Sequence, residues 1–290
     1  MPSDADRVLG LKIDVDTYAG MKRGVPRLLD ILEDRGIRGA FFLSIGPDAS
    51  GLAVLHLIRN PRFLKKMIRT NAAGLYGLRT ALYGTLLPSP MIALSFPATV
   101  RKIMDGGHEV QFHAWDHRRW QDGLPGRSVE WIRAWFEKGI RGFNELTGRL
   151  PTAFGAPAWM IDDRALEILK EYRFDYLSCT RARKPFVHEK AGLPEIPSDL
   201  PCFEETGVPD GITAIATCLL DGQTHVLPVH AEVEGGIWSG HFVRLLEQAR
   251  EMGYRTATLT EIRGMLPPGA LAVRKHKMEL LPGRSVPCAV

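Results

Sequence analysis

The sequence predicts an α/β fold built on a largely parallel sheet. Short apolar runs alternate with amphipathic stretches of helical period along most of the 290 residues. Glycines close several of the helical stretches, and polar clusters end three of the apolar runs, where α/β folds gather ligands and catalytic groups. Repeated βα units imply right-handed crossovers, with the sheet either rolled into a barrel or left open.

The first apolar run, 8–14, reads as a strand. An amphipathic helix near 21–35 follows, in which Val25, Leu28, Leu29 and Leu32 recur at helical spacing before Gly36 stops it. A strand over 37–44 comes next. After a long interruption, a short helix ends at Gly106-Gly107, a strand covers 108–112, and a helix near 128–147 ends at Gly148. Strand 152–155, helix 161–172 and strand 174–178 keep the rhythm. A less regular stretch then carries Pro185, Pro194, Pro197, Pro201 and Pro209. Strands near 213–219 and 225–229, a helix over 237–252 and a strand over 254–259 complete the pattern.

An apolar content of 45% is enough for one sizeable core, so a single domain over 1–290 is expected. Cys179, Cys202, Cys218 and Cys288 show no CxxC spacing, which favours free thiols in a reducing compartment. The first residues, Met1 to Arg7, include acidic groups and lack a signal-peptide layout, and no run of about 20 apolar residues occurs. A cytoplasmic protein without a spanning helix is expected. The net charge of +4 by itself says little about a partner, and no nucleic-acid partner is expected.

Charge is nevertheless unevenly placed. Residues 49–104, too long for an ordinary βα connection, contain no Asp or Glu and hold eight basic residues: Arg59, Arg62, Lys65, Lys66, Arg69, Arg79, Arg101 and Lys102. The rest of the chain therefore sums to about −4, by subtracting these eight charges from the net +4. Phe63, Leu64, Met67, Ile68, Leu75, Tyr76, Leu78, Leu82, Tyr83, Leu86, Leu87, Met91, Ile92, Leu94 and Phe96 add much apolar surface. That composition suits an anionic membrane surface, and it equally suits an extra helical pair capping the domain.

Three polar clusters carry the chemistry. Asp14 and Asp16, two apart at the end of an apolar run, face one side in extended geometry, and two buried carboxylates need a cation or proton between them. Asp16 could instead cap a helix. His113 and His117 are four apart, so on one helical turn both imidazoles can share a cation, with Trp115 and Trp120 as an apolar wall. His230 ends the run from His225 and precedes Glu232 and Glu234. A catalytic acid fits there, as does an ordinary loop histidine paired with a carboxylate.

The order Asp-x-Asp, His-x-x-x-His, a Pro-containing strand end (Phe154 to Trp159) and a late Leu-x-x-His resembles the polysaccharide deacetylase family of metal-dependent amide hydrolases. Lys12 to Thr17, Gly107 to Val110 with His113 to His117, and Phe174 to Arg181 are similar to one branch of it. Members of that branch remove a formyl group from an amino sugar carried on undecaprenyl phosphate, in lipid A modification. The resemblance implies a single-domain, irregular (β/α)7-type barrel with a long helical insertion. It implies that Asp16, His113 and His117 bind one divalent metal, that Asp14 is the general base and that His230 is the general acid. Ala158 would match the position whose backbone N–H binds the oxyanion. The arginine that many members carry in the Pro-containing motif is absent here, where Gly155 and Ala156 stand, so another group must orient Asp14.

Trp120, Trp159, Glu204 and Glu205 are candidates for sugar contacts or for structural roles. A site of two histidines and one aspartate accepts zinc, manganese, cobalt or iron. The expected partners are a lipid-linked sugar and an anionic membrane, with the protein held peripherally on the inner face of the bacterial inner membrane. Two other readings stand beside this one: a deacetylase of N-acetyl glycans, and an inactive protein that binds sugar-lipids.

Overall fold

The computed structural model describes residues 7–53, 80–267 and 269–290. Among these, one sheet contains β1 (Val8–Val15), β2 (Ala40–Ser44), β3 (Glu109–Ala114), β4 (Ala153–Phe154) and β5 (Tyr176–Leu177). It also contains β6 (Phe186–His188), β7 (Pro194–Glu195), β8 (His225–His230), β9 (Arg255–Ala257) and β10 (Val273–Arg274). The strand order is β10-β6-β7-β5-β4-β3-β2-β1-β8, with β9 also paired to β1. All pairings in this sheet are parallel except β6 with β7. β8 and β10 do not pair with each other among the described residues, so the sheet is a curled, open form of the irregular (β/α)7-type barrel.

The strands cross over through α1 (Val25–Glu33), α2 (Pro97–Asp105), α3 (His117–Gly123), α4 (Val129–Thr147) and α5 (Asp163–Leu169). Then come α6 (Phe203–Thr206), α7 (Asp210–Leu219), α8 (Ser239–Glu251) and α9 (Leu259–Met265). The amphipathic stretch expected near 21–35 divides into a wide turn, Gly20–Gly24, and α1. Helix α4 begins at Ser128, whose side chain accepts from the Trp131 N–H, and ends at Gly148 in the left-handed region (φ 73°).

One expected strand is a helix. The segment near 213–219 lies within α7, where Gly211, Ile215, Ala216 and Leu219 are buried. That spacing is helical, although Ile212, Thr213, Ile215 and Thr217 individually favour strand.

The period-2 alternation of the strands decides what enters the site. In β1, Leu9, Leu11, Ile13 and Val15 join the large core packed against the helices. Val8 instead joins a smaller inner cluster with Ala40, Phe42, Ala153, Tyr176, Ile196 and Val226, closed by Leu259 and Ile262 of α9. Counting by twos from Val8 places Lys12 and Asp14 on that inner face, above an apolar floor. The same alternation in β3 sends Val110, Phe112 and Ala114 to the outer core and leaves Glu109, Gln111 and His113 inside.

Residues 54–79 of the basic, apolar insertion, including Arg59 to Arg79 and Phe63 to Leu78, lie outside the described residues. Of its end, Ile92 and Ala93 are buried in the main core, with Leu94 and Phe96 packed against it. Part of the apolar surplus is thus core. Leu86 is 81% exposed, and Arg101 and Lys102 face solvent. Among the described residues no helix is long and apolar enough to cross a membrane.

Candidate active site

The C-terminal ends of β1, β3 and β8 bring the three polar clusters together. In the parallel pairing of β1 with β8, Asp14 lies directly beside His230. Asp16 follows the last residue of β1, and His113 occupies the penultimate position of β3.

His113 and His117 do not share a helical turn, as their spacing had predicted. His113 is in extended β3, whereas His117 opens α3 after Asp116, an extended N-cap whose carboxylate accepts from the Arg119 N–H. The tight strand-to-helix turn still converges the rings, with centroids 5.2 Å apart. Asp16 Oδ1 is 3.1 Å from His113 Nε2, and Asp16 Oδ2 is 3.3 Å from His117 Nε2.

This donor set fits a divalent cation. His113 Nδ1 is 2.8 Å from the Gly155 carbonyl oxygen, which can only accept, so in the neutral ring Nδ1 carries the proton and Nε2 presents a lone pair. In that form Nε2 meets the Asp16 carboxylate as one acceptor facing another, the arrangement a metal ligand needs. Both His113 Nε2 and Asp16 Oδ1 are buried without a hydrogen-bond partner. A cation between them satisfies both. Burial pushes the His117 imidazole down to about 4, against the opposing pull of Asp16, which favours the unprotonated ring that a metal ligand requires. Burial works against the Asp16 charge, but His117, His113 and His230 together hold its carboxyl far below the usual range.

Asp14 is 3% exposed, and its carboxylate receives Lys12 Nζ at 2.5 Å on each oxygen. On the other side, His230 Nδ1 is 2.7 Å from Glu204 Oε2, and the His230 backbone N–H donates to Glu234 Oε2 at 2.7 Å. Burial disfavours the His230 charge, but the Glu204 carboxylate, with Asp16 and Glu234, outweighs it and raises the imidazole well above its ordinary value. Cys202, Glu204 and His230 also lie within ligand spacing of one another, but there the Glu204–His230 ion pair already matches charge with charge.

The Pro-containing strand end turns sharply after Pro157. Ala158 (φ 52°) and Trp159 (φ 54°) are both left-handed, which costs about 1–3 kcal/mol for each non-glycine residue and persists only where the surroundings enforce it. The Trp159 and Met160 N–H groups donate to the Ala156 and Pro157 carbonyls at 3.0 and 2.9 Å. Arg284, from the C-terminal hairpin of β11 (Met278–Glu279) and β12 (Cys288–Ala289), donates to the Ala158 carbonyl at 3.0 Å. The Arg181 and Arg284 guanidinium groups lie 4.7 and 4.9 Å from the Trp159 ring centroid. The Trp159 edge meets the His230 ring at 6.1 Å between centroids.

The residues expected at sugar hydroxyls have other work. Trp120 is fully buried, donates its indole N–H to the Met160 carbonyl at 2.7 Å and stacks against Trp135, so it is a core residue. Glu205 is buried and accepts from Arg181 at 2.5 Å and Arg284 at 3.2 Å; it anchors the arginines that flank Trp159. Glu204 serves His230. Trp159 borders the site but is only 3% exposed. Two contributors were missed. Lys12 had a legible signal, a lysine two residues before Asp14 in an otherwise apolar strand; Arg284, more than a hundred residues from the turn it holds, had none.

Residues 4–177 match the family model described as polysaccharide deacetylase. A Shewanella sediminis protein named "probable 4-deoxy-4-formamido-L-arabinose-phosphoundecaprenol deformylase ArnD" is 34% identical over 260 residues, 88% of this chain and 85% of its own length. A protein of the same name from Wigglesworthia glossinidia brevipalpis is 30% identical over 254 residues, 84% of this chain and 88% of its own. The fold is similar to a crystal structure described as a polysaccharide deacetylase from Mycobacterium smegmatis, with a TM-score of 0.67 and 19% identity over 97% of both chains.

Proposed function

This chain belongs to the polysaccharide deacetylase family and is a hydrolase of amide C–N bonds, and we propose that it removes the formyl group from 4-deoxy-4-formamido-L-arabinose phosphoundecaprenol, in lipid A modification. The observation that carries the chemistry is the facing of His113 Nε2 and Asp16 Oδ1, 3.1 Å apart at the convergence of Asp16, His113 and His117, beside Asp14 paired with Lys12 and His230 paired with Glu204. The formyl substrate rests on the likeness to the two curated relatives.

Asp16, His113 and His117 would hold one divalent ion. When bound, that ion supplies Lewis-acid polarisation of the amide carbonyl and lowers the pKa of a water. Asp14 takes the proton from the attacking water. The Ala158 N–H donates to the developing oxyanion, a contribution of a few kcal/mol for one well-placed donor. His230 gives its proton to the departing sugar amine, without which the C–N bond does not break.

The test is mass spectrometry of a synthetic 4-deoxy-4-formamido-arabinosyl phosphoisoprenoid, incubated with protein and one divalent metal at a time, with the acetamido analogue alongside. Formate release with little acetate release supports the reading. Acetate release instead would assign an N-acetyl glycan deacetylase, and no turnover of either would assign an inactive sugar-lipid binder. One methyl group distinguishes the two acyl groups by only about 1–3 kcal/mol in an apolar pocket, so both analogues must be measured.

Glu204→Gln moves the alkaline limb of kcat/KM to lower pH. His230 must be protonated to act, and activity falls as pH rises through its pKa. The Glu204 charge raises that pKa, so removing it brings the fall earlier. An unmoved limb would take His230 out of the acid role.

The basic part of the 49–104 insertion in the single domain over 1–290, from Arg59 to Arg79, would contact the inner face of the inner membrane, while its C-terminal end, with Ile92, Ala93, Val100 and Ile103 buried, belongs to the core. Replacing Arg59, Arg62, Lys65, Lys66, Arg69 and Arg79 by glutamine reduces sedimentation with anionic liposomes at low salt, since each basic residue near such a surface contributes about 1 kcal/mol. Partitioning equal to that of the unaltered protein would remove the membrane role.

A further inference from the structure

We infer that Lys12 is a positioning residue for the reaction: its ammonium, delivered from two positions earlier on the same face of β1, fixes the Asp14 carboxylate. Period-2 geometry puts both side chains on the inner face. Lys12 is fully buried, and Nζ reaches both Asp14 oxygens at 2.5 Å. The ammonium lies 4.8 Å from the Phe42 ring centroid and 5.7 Å from that of Trp159. The path of its stem is kept open by Gly155, where a Cβ would stand 3.1 Å from Lys12 Cε and 2.8 Å from Phe42 Cδ1.

Burial of such a pair gives no strong stability reason to keep it, because apolar replacements of both partners are often neutral or stabilising. What the arrangement does provide is orientation. A carboxylate held at both oxygens cannot swing toward the Asp16 cluster, and it stays beside His230, its register partner across β1 and β8. The same contact links the two sides of the reacting bond, because Trp159 faces both Lys12 and His230.

The inference rests on Asp14 being the base of the proposed amide hydrolysis. Its test compares Lys12→Met, Asp14→Asn and the double variant on the formamido phosphoisoprenoid, with ion content measured for each. Lys12→Met is expected to lower kcat about 100-fold, the loss typical of a misplaced catalytic group, with KM and one ion per chain retained. Added to Asp14→Asn, it should lower kcat no further. An independent loss of the same factor in the double variant would make Lys12 merely structural and overturn the inference. The double variant carries no unpaired buried carboxylate, so this comparison holds even where Lys12→Met alone fails to fold. Methylammonium should also restore turnover to Lys12→Ala, a rescue that a packing role would not show. Wild-type protein that releases neither formate nor acetate would overturn the functional reading itself, and the inference with it.

Discussion

Alanine at Asp16, His113 or His117 is expected to abolish both metal retention and formate release. Each residue offers one donor atom, and these atoms lie within 4.8 Å of one another, with His113 Nε2 and Asp16 Oδ1 3.1 Å apart. Removing one donor leaves two, too few to hold a divalent ion against water and buffer. Loss of a residue that merely orients a metal ligand typically costs 10- to 100-fold, so loss of a ligand should exceed about 100-fold in turnover. Elemental analysis and a formate assay on the same preparation check both halves. The half-buried Asp16 also calls for Asp16→Asn, which keeps the volume, removes the charge and should still lose the ion.

The second large effect separates chemistry from metal binding. Asp14→Asn keeps shape and one acceptor, leaves Asp16, His113 and His117 unaltered, and should retain one ion per chain while losing turnover by about 10²- to 10⁴-fold, the usual contribution of a general base. Co-purification of metal at wild-type stoichiometry together with that loss is the expected result. Parallel loss of the ion would make Asp14 a ligand; unchanged kcat would remove it from the reaction.

The legible parts of this site were those written in local spacing. Asp14 and Asp16 at a strand end, the His113–His117 pair and His230 after an apolar run all converge at the C-terminal ends of parallel strands, as the alternation of βα units implied. Periodicity misplaced the histidine pair on a single helix, because a four-residue spacing is met equally by a strand, an extended N-cap and the first residue of α3. Residue type misplaced 213–219, where β-branched residues outweighed the helical spacing of the buried positions. Trp120, Glu204 and Glu205 were read by type, and type alone does not say whether an indole faces a sugar or a core. Arg284 illustrates the remaining gap: its contact with the Ala158 carbonyl joins residues 126 apart, and only the folded hairpin brings them together.

Reconstitution of chelator-treated protein tests the central claim most directly. Purified chain is stripped, then titrated with zinc, manganese or cobalt while formate release from the formamido phosphoisoprenoid is followed. The account predicts no turnover in the stripped protein and recovery that saturates at one ion per chain, absent in His113→Ala. Full turnover by metal-free protein, or full recovery in His113→Ala, would contradict it.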